Sequence, residues 1–246
     1  MSRFLAALRF LTVLPVPGQL GTRTEDLGGS TALFGVVGVL IGVVAAAGCQ
    51  LLNAVLPDLL TCVVVVIGLV GVSGGLHMDG LSDTADGVFS SRRRDRMLEI
   101  MRDSRVGAMG VMAIVFLFTL KVAALIDLPP EIRWQTVLLM PIAGRCALVI
   151  MMALLPYARN EDGLGSLFLE RKHRAAAILS VLILGLVGWF ALAVTGFYSA
   201  IAAIAITLLL TAYFRSKLGG ATGDTLGATC EIAECTVAIS VSALSV

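Results

Sequence analysis

Apolar runs long enough to cross a bilayer dominate this chain and leave little choice of architecture. They fall at Leu33–Leu56, Leu59–Leu76, Gly107–Ile126, Trp134–Leu155, Ala175–Val194 and Phe197–Phe214. A seventh, Leu226–Val246, carries Glu231 and Glu234. A helix needs roughly 20 apolar residues to span the hydrocarbon core. Lipid offers the backbone no hydrogen bonds, so an open chain crosses it as helices. The runs are continuous rather than alternating, which argues against a β-barrel. Composition agrees: 14% of residues are charged and 58% hydrophobic, with a mean hydropathy of +0.95, against roughly 25% charged in a soluble domain. The expected fold is all-α and polytopic, with six to seven transmembrane helices in one membrane-embedded domain covering residues 1–246.

The basic residues orient such a bundle. Arg3, Arg9 and Arg23 precede the first run, and Arg92, Arg93, Arg94, Arg96, Arg102 and Arg105 lie between the second and third. Arg159, Arg171, Lys172 and Arg174 follow the fourth, and Arg215 and Lys217 follow the sixth. The opposite connections hold only Arg133. Positive loops mark the cytoplasmic side, so the N-terminus and every long polar loop are expected there. Residues 1–18 read as an interfacial amphipathic helix ending at Pro15 and Pro17, because Arg9 interrupts any signal-peptide core. The five cysteines are odd in number and lack metal-type spacing. They are expected to pack in the apolar interior without disulfides.

The chemistry-bearing residues gather in the cytoplasmic connections. The richest is 77–106, the expected catalytic loop, which opens "HMDGLSDTADG". If helical, its i, i+4, i+7 spacing places Asp79, Asp83 and Asp86 within about 60° on one face, with His77 nearly opposite. Three carboxylates without a basic neighbour repel, and some must protonate unless a cation neutralises them. Mg²⁺ held by Asp79, Asp83 and Asp86 answers that need, since it joins a few carboxylates to substrate phosphates. The plainer alternative is a solvated acidic loop whose aspartates cap helices. The adjoining arginines fit either a topological anchor or a phosphate site. Glu99 and Asp103 fit either a supporting role or a polar helix face.

The segment "SKLGGATGDTLGATCEIAE" repeats the theme. Gly219, Gly220, Gly223 and Gly227 permit close backbone approach to a phosphate, although this is not a Walker A order. Asp224 reads either as a site residue or as a helix cap. Of the ionisable residues inside the runs, Arg145 is expected to have a buried partner, Glu231 and Glu234 to face a polar interior, and Lys121 to snorkel. The middle connection supplies Arg159, a Gly-Leu-Gly turn and a basic cluster at 171–174, in which His173 reads as an exposed side chain.

Aspartates on one helix face beside arginines suggest transfer of a phosphoryl-linked group from an activated diphosphate to an alcohol. The CDP-alcohol phosphotransferases use spaced aspartates similarly, but "DGLSDTADG" is shorter than their motif and lacks its Ala-Arg. The block "GGLHMDGLSDTADGVFSSRRRDRMLEIMRDSRVGAMG", with "RFLTVLPVP", "GR" at 144–145 and "GGATGDTLGA" at 219–228, resembles the cobalamin synthase family, the adenosylcobinamide-GDP ribazoletransferases. That resemblance, essentially end to end, implies a Mg²⁺-dependent, multi-pass enzyme of the bacterial inner membrane. It would join adenosylcobinamide-GDP to α-ribazole or its 5′-phosphate, releasing GMP late in cobalamin synthesis. Carried over by position, Asp79, Asp83 and Asp86 would bind Mg²⁺, one of them acting as base. Asp224 would complete the site, while Arg102, Arg105, Lys217, Gly220 and Gly223 would hold phosphates. The expected partners are those small-molecule substrates and the lipid bilayer, with a homo-oligomer left open and no nucleic acid. The rival class is an ion- or proton-coupled transporter built on Glu231, Glu234, Lys121 and Arg145.

Overall fold

A computed structural model of the protein describes residues 1–159, 166–169 and 173–245. The Gly-Leu-Gly turn and the first two positions of the 171–174 cluster lie outside the described residues. The helices are α1 (Ser2–Leu11), α2 (Thr24–Gly28), α3 (Phe34–Asn53), α4 (Asp58–Val72), α5 (Leu76–Val88) and α6 (Arg94–Ile100). They continue as α7 (Ala108–Ile126), α8 (Pro130–Leu154), α9 (Ser166–Leu169), α10 (Arg174–Leu218) and α11 (Gly223–Leu244). No strand occurs among the described residues, only a lone parallel bridge between Tyr157 and Ala221.

The central element is α8, buried along most of its length, with α3, α10 and α11 packed around it. Lipid tails are as apolar as leucine, so membrane helices associate through close packing at small residues. Gly38 and Gly42 of α3 serve this purpose: a Cβ at Gly38 would stand 2.9 Å from the Pro141 carbonyl oxygen, and one at Gly42 would overlap that of Leu138.

By length and apolarity, five helices among the described residues can cross a membrane, or six if α4 and α5 form one bent span. The fifth and sixth runs are the two arms of α10, whose backbone leaves helical geometry at Leu192 and Ala193. There the chain doubles back so tightly that a Cβ at Gly188 would stand 2.6 Å from the Gly196 carbonyl oxygen. The reversal therefore falls a few residues before the break at 195–196 that separates the two runs in the sequence. Between α4 and α5, Gly74 and Gly75 adopt φ of 62° and 78°, a left-handed conformation that glycine enters freely. The resulting 88° bend ends the second span at Val72 and lays α5 across the end of the bundle. The stretch expected as a catalytic loop is thus two helices, α5 and α6, and the N-terminal helix ends at Leu11, ahead of the prolines.

Each intramembrane charge finds a partner. Lys121 of α7 donates to Glu231 at 2.6 Å and Glu234 at 2.8 Å, and Arg145 of α8 donates to the other Glu234 oxygen. All four side chains are at most 3% exposed. Lys121 does not snorkel, because α11 places two carboxylates within its reach. Desolvation makes such clusters costly, and mutual pairing is what makes them tolerable. At the opposite end of the bundle from α5, buried Arg133 donates to the Leu125 and Leu128 carbonyls, Asn53 and Asp58. It thereby ties α3, α4, α7 and α8 together. The five cysteines are buried and free.

Removing one partner from a buried ion pair strands the other charge, at a cost of about 3–5 kcal/mol. Lys121→Met leaves Glu231 unpaired and should lower the thermal midpoint in detergent steeply, and Lys121→Met/Glu231→Met should restore most of the loss. Midpoints of wild type and both variants by intrinsic fluorescence test this; equal loss in the single and double variants would refute it.

Candidate active site

The acidic stripe stands on α5 as its spacing required. Asp79 is exposed, Asp83 and Asp86 are half-buried, and His77 is buried on the other side with Met78, Leu81 and Val88. Burial and the nearby Arg145 charge hold His77 down to about 3, so it is neutral at physiological pH. Glycine fixes how α5 meets α11. A Cβ at Gly80 would stand 2.8 Å from the Asp224 carbonyl oxygen, and one at Gly227 would stand 3.1 Å from that of His77. This backbone-to-backbone crossing brings Asp224, in the first turn of α11, beside the aspartates of α5.

The four carboxylates have different surroundings. Asp86 accepts hydrogen bonds from the Gly107 and Gly110 N–H groups at 2.7 and 2.9 Å. It therefore caps the N-terminus of α7, which has no side-chain cap of its own. Any side chain at Gly107 or Gly110 would collide with that carboxylate. Asp224 accepts from Arg159 at 2.8 Å and from Thr222 at 3.2 Å. Helix α11 is capped instead by Thr222 and Thr225 in a reciprocal capping box, so Asp224 lies inside the first turn rather than at the cap. Among the described residues, Asp83 has neither kind of partner. Burial, then the charges of Asp79, Asp224 and Asp86, pushes its carboxyl up to about 7.

The expected phosphate ligands divide. Arg102 borders a cleft of about 170 Å³ with Arg94 and Arg159. Arg105 turns away, paired with Asp103 at 2.6 Å on the exposed surface, and Glu99 is likewise paired with Arg96. Lys217 is exposed in the last turn of α10. Gly220 packs against the 156–158 segment, where Ala221 donates to the Pro156 carbonyl and Ala158 to the Ala221 carbonyl. Gly223 borders a second cleft of about 190 Å³, walled by Phe10, Leu148, Met152 and Phe168 and edged by Asp79 and Asp224. Phe10 and Phe168 stand with ring centroids 4.8 Å apart. His173 is buried rather than exposed, bound to Thr31 and to the Phe168 carbonyl.

Among the described residues, no group of three or more His, Cys, Asp and Glu side chains is already gathered to hold a metal ion. The donor set is nonetheless all oxygen, and the mutual repulsion at Asp83 is of the kind a divalent cation relieves. Mg²⁺ commonly takes one or two carboxylates and fills its shell with water and phosphate oxygens. Asp79 and Asp83 fit that pattern, while both Asp86 oxygens already serve α7. Acidic centre, basic cleft and aromatic cleft together can hold a polyanionic group beside an apolar one and accept a proton between them.

Sequence reasoning named Arg159 without placing it in the site, and it offered helix capping by the aspartates as an alternative, which Asp86 bears out at the N-terminus of α7. Gly107 and Gly110, which the sequence reading passed over, are the signal that would have pointed to α7 as the helix that is capped. Arg94, read as one of a basic run, binds the Leu218 carbonyl at 2.8 Å and the Ala158 carbonyl, fixing the two segments beside the site.

The sequence model of the family described as Cobalamin-5-phosphate synthase matches residues 3–242. Three similar curated proteins are each named Adenosylcobinamide-GDP ribazoletransferase. That of Clostridium acetobutylicum is 35% identical, over 94% of this chain and 91% of the relative. That of Desulforamulus reducens is 38% identical, over 93% and 91%. That of Listeria monocytogenes is 36% identical, over 93% and 92%. No solved structure matches the chain.

Asp86 and Asp83 should respond oppositely to neutralisation. Loss of a helix cap costs about 1–2 kcal/mol, so Asp86→Ala should lower the thermal midpoint. The folded Asp83 carboxyl titrates at about 7 against an ordinary 3.8, so the folded state binds its proton more tightly than the unfolded one. That contribution is full below about 3.8 and is lost as pH rises through about 7. In metal-free buffer Asp83→Asn should therefore remove a decline in stability over this window and raise the midpoint at pH 8. Melting curves from pH 4 to 8 with chelator check both outcomes.

Proposed function

The chain belongs to the cobalamin-5-phosphate synthase family, and from that premise we propose how its residues join a GDP-activated corrinoid to the ribose of an α-ribazole. It is an enzyme of cobalamin synthesis, a transferase acting on adenosylcobinamide-GDP and ribazole. The acceptor is α-ribazole or its 5′-phosphate, giving adenosylcobalamin or its 5′-phosphate. A ribose hydroxyl oxygen bonds to the phosphorus that carries the corrinoid, and the bond from that phosphorus to GMP breaks. The observation that most supports this reading is the half-buried Asp83, ringed by Asp79, Asp86 and Asp224 with Arg159 beside them.

Within this reading, Asp79 and Asp83 are the residues that would hold Mg²⁺ beside the substrate phosphates. When bound, the ion supplies charge neutralisation to the diphosphate and a better leaving group. Arg102 and Arg159 orient the phosphates in the basic cleft through planar, charge-assisted hydrogen bonds. Asp224, steadied by Arg159 and Thr222, stands where a carboxylate can take the hydroxyl proton. The aromatic cleft behind Asp79 and Asp224 receives an apolar portion of a substrate and keeps water from the reacting phosphorus. Gly220 supports the turn, and Gly223 leaves the mouth of the cleft open. Lys217 adds positive potential at the same end of the bundle, while Arg105 stays paired with Asp103. The basic connections support an inner-membrane protein with this end in the cytoplasm. As for the transporter reading, the buried charges it requires are locked in ion pairs with one another.

Detergent-solubilised protein incubated with adenosylcobinamide-GDP and α-ribazole should form adenosylcobalamin and GMP only when Mg²⁺ is present. Asp83→Asn should reduce turnover more than about 100-fold, the scale of losing a transition-state charge contact, with insertion and expression intact. Turnover by Asp83→Asn within a few-fold of wild type would overturn the assignment. Arg159→Ala should raise the apparent KM for the GDP substrate and lower kcat, since it serves both phosphate and Asp224.

A further inference from the structure

The two arms of α10 leave most of their apolar surface outside the bundle. Between them and α8 runs a groove of about 700 Å³, walled by Ile150, Leu154, Ile178, Leu182, Ile204 and Leu208. Ile178 is 63% exposed, Leu182 54% and Leu208 46%. In a bilayer such a furrow faces hydrocarbon and admits an acyl chain. Its end carries two arginines: Arg174 opens α10 and Arg215 lies in its last turn. The hairpin returns both to the end of the bundle that holds Asp224. Arg215 is steadied by donating to the Leu154 carbonyl at 2.5 Å, and Arg174 is exposed. Among the described residues no carboxylate is paired with either.

We propose that this groove is a binding site for an anionic phospholipid, with one acyl chain between α8 and the α10 arms and the headgroup phosphate between Arg174 and Arg215. A free phosphate would use the arginines and leave the furrow empty. A zwitterionic lipid would fill the furrow but bring a cation to two cations. Only a lipid of net negative charge satisfies both parts of the site. Basic pockets between transmembrane helices at the headgroup level recognise lipid in this way. The lipid would brace the arms of α10, and α10 leads through Gly219–Thr222 into the turn that carries Asp224.

Native mass spectrometry of the full-length protein, released from nanodiscs of equimolar phosphatidylglycerol and phosphatidylcholine, tests the site. Wild type should retain phosphatidylglycerol in at least fivefold preference, the scale expected for one juxtamembrane arginine. Arg174→Ala should cut that preference several-fold, Arg174→Lys should keep most of it, and Arg174→Ala/Arg215→Ala should abolish it. Leu182→Trp/Leu208→Trp fills the furrow without changing charge and should lower retention of both lipids. Circular dichroism and melting of each variant establish that it is folded, and the furrow variant keeps the test open should loss of Arg215 loosen α8. Equal retention of the two lipids by wild type overturns the proposal, as does unchanged preference in the double arginine variant. Displacement of the lipid by inorganic phosphate, or a dimer that excludes lipid from the furrow, overturns it as well.

Discussion

Helix α5 meets α11 backbone to backbone, because a Cβ at Gly80 would stand 2.8 Å from the Asp224 carbonyl oxygen. The acidic site depends on that contact. Wider side chains at Gly80 or Gly227 would separate the helices, and Asp224 would no longer add its charge to the field around Asp83. Beneath the crossing, the ion cluster of Lys121, Arg145, Glu231 and Glu234 binds α11 to α7 and α8. Hydrophobic association is weak between helices in lipid, so glycine contacts and buried charge pairs carry the specificity of this packing.

The site therefore combines rigidity with electrostatic strain. Asp86 is spent on the α7 N-terminus, and Asp224 is steadied by Arg159 and Thr222. Asp83 is left with like charges on several sides, and burial together with those charges raises its carboxyl. Carboxylates are thus in surplus at one point of the site, with Arg159 beside them. The curated relatives are named for a GDP-linked substrate, whose diphosphate is polyanionic. A basic cleft and an aromatic cleft flanking one acidic centre suit such a molecule.

Stability and catalysis draw on separate groups of charge. The ion cluster is neutral as a whole and closed to water, so it supports the fold at a cost set by desolvation. Asp79 and Asp83 are reachable from solvent and, among the described residues, lack a balancing cation, so their repulsion weighs on the empty protein and is relieved by ligand binding.

The membrane class, most of the spans and the acidic stripe were legible in the sequence, because apolar length and helical period are local properties. The opposed placement of His77 and Asp79 came from the same periodicity. Other features depended on contacts between distant segments. Arg159 and Asp224 lie 65 positions apart, and Lys121 lies 110 from Glu231; no spacing rule links such pairs. Lys121 read as snorkelling and His173 as exposed because the residues beside them suggest it, whereas burial is decided by what packs across from them. The sequence alone determined that the chain crosses a membrane and which helix face bears carboxylates, since the bilayer and the peptide geometry impose both locally. Only the tertiary structure decided which carboxylates remain free, because hydrogen-bond partners and repulsion depend on distances that folding sets.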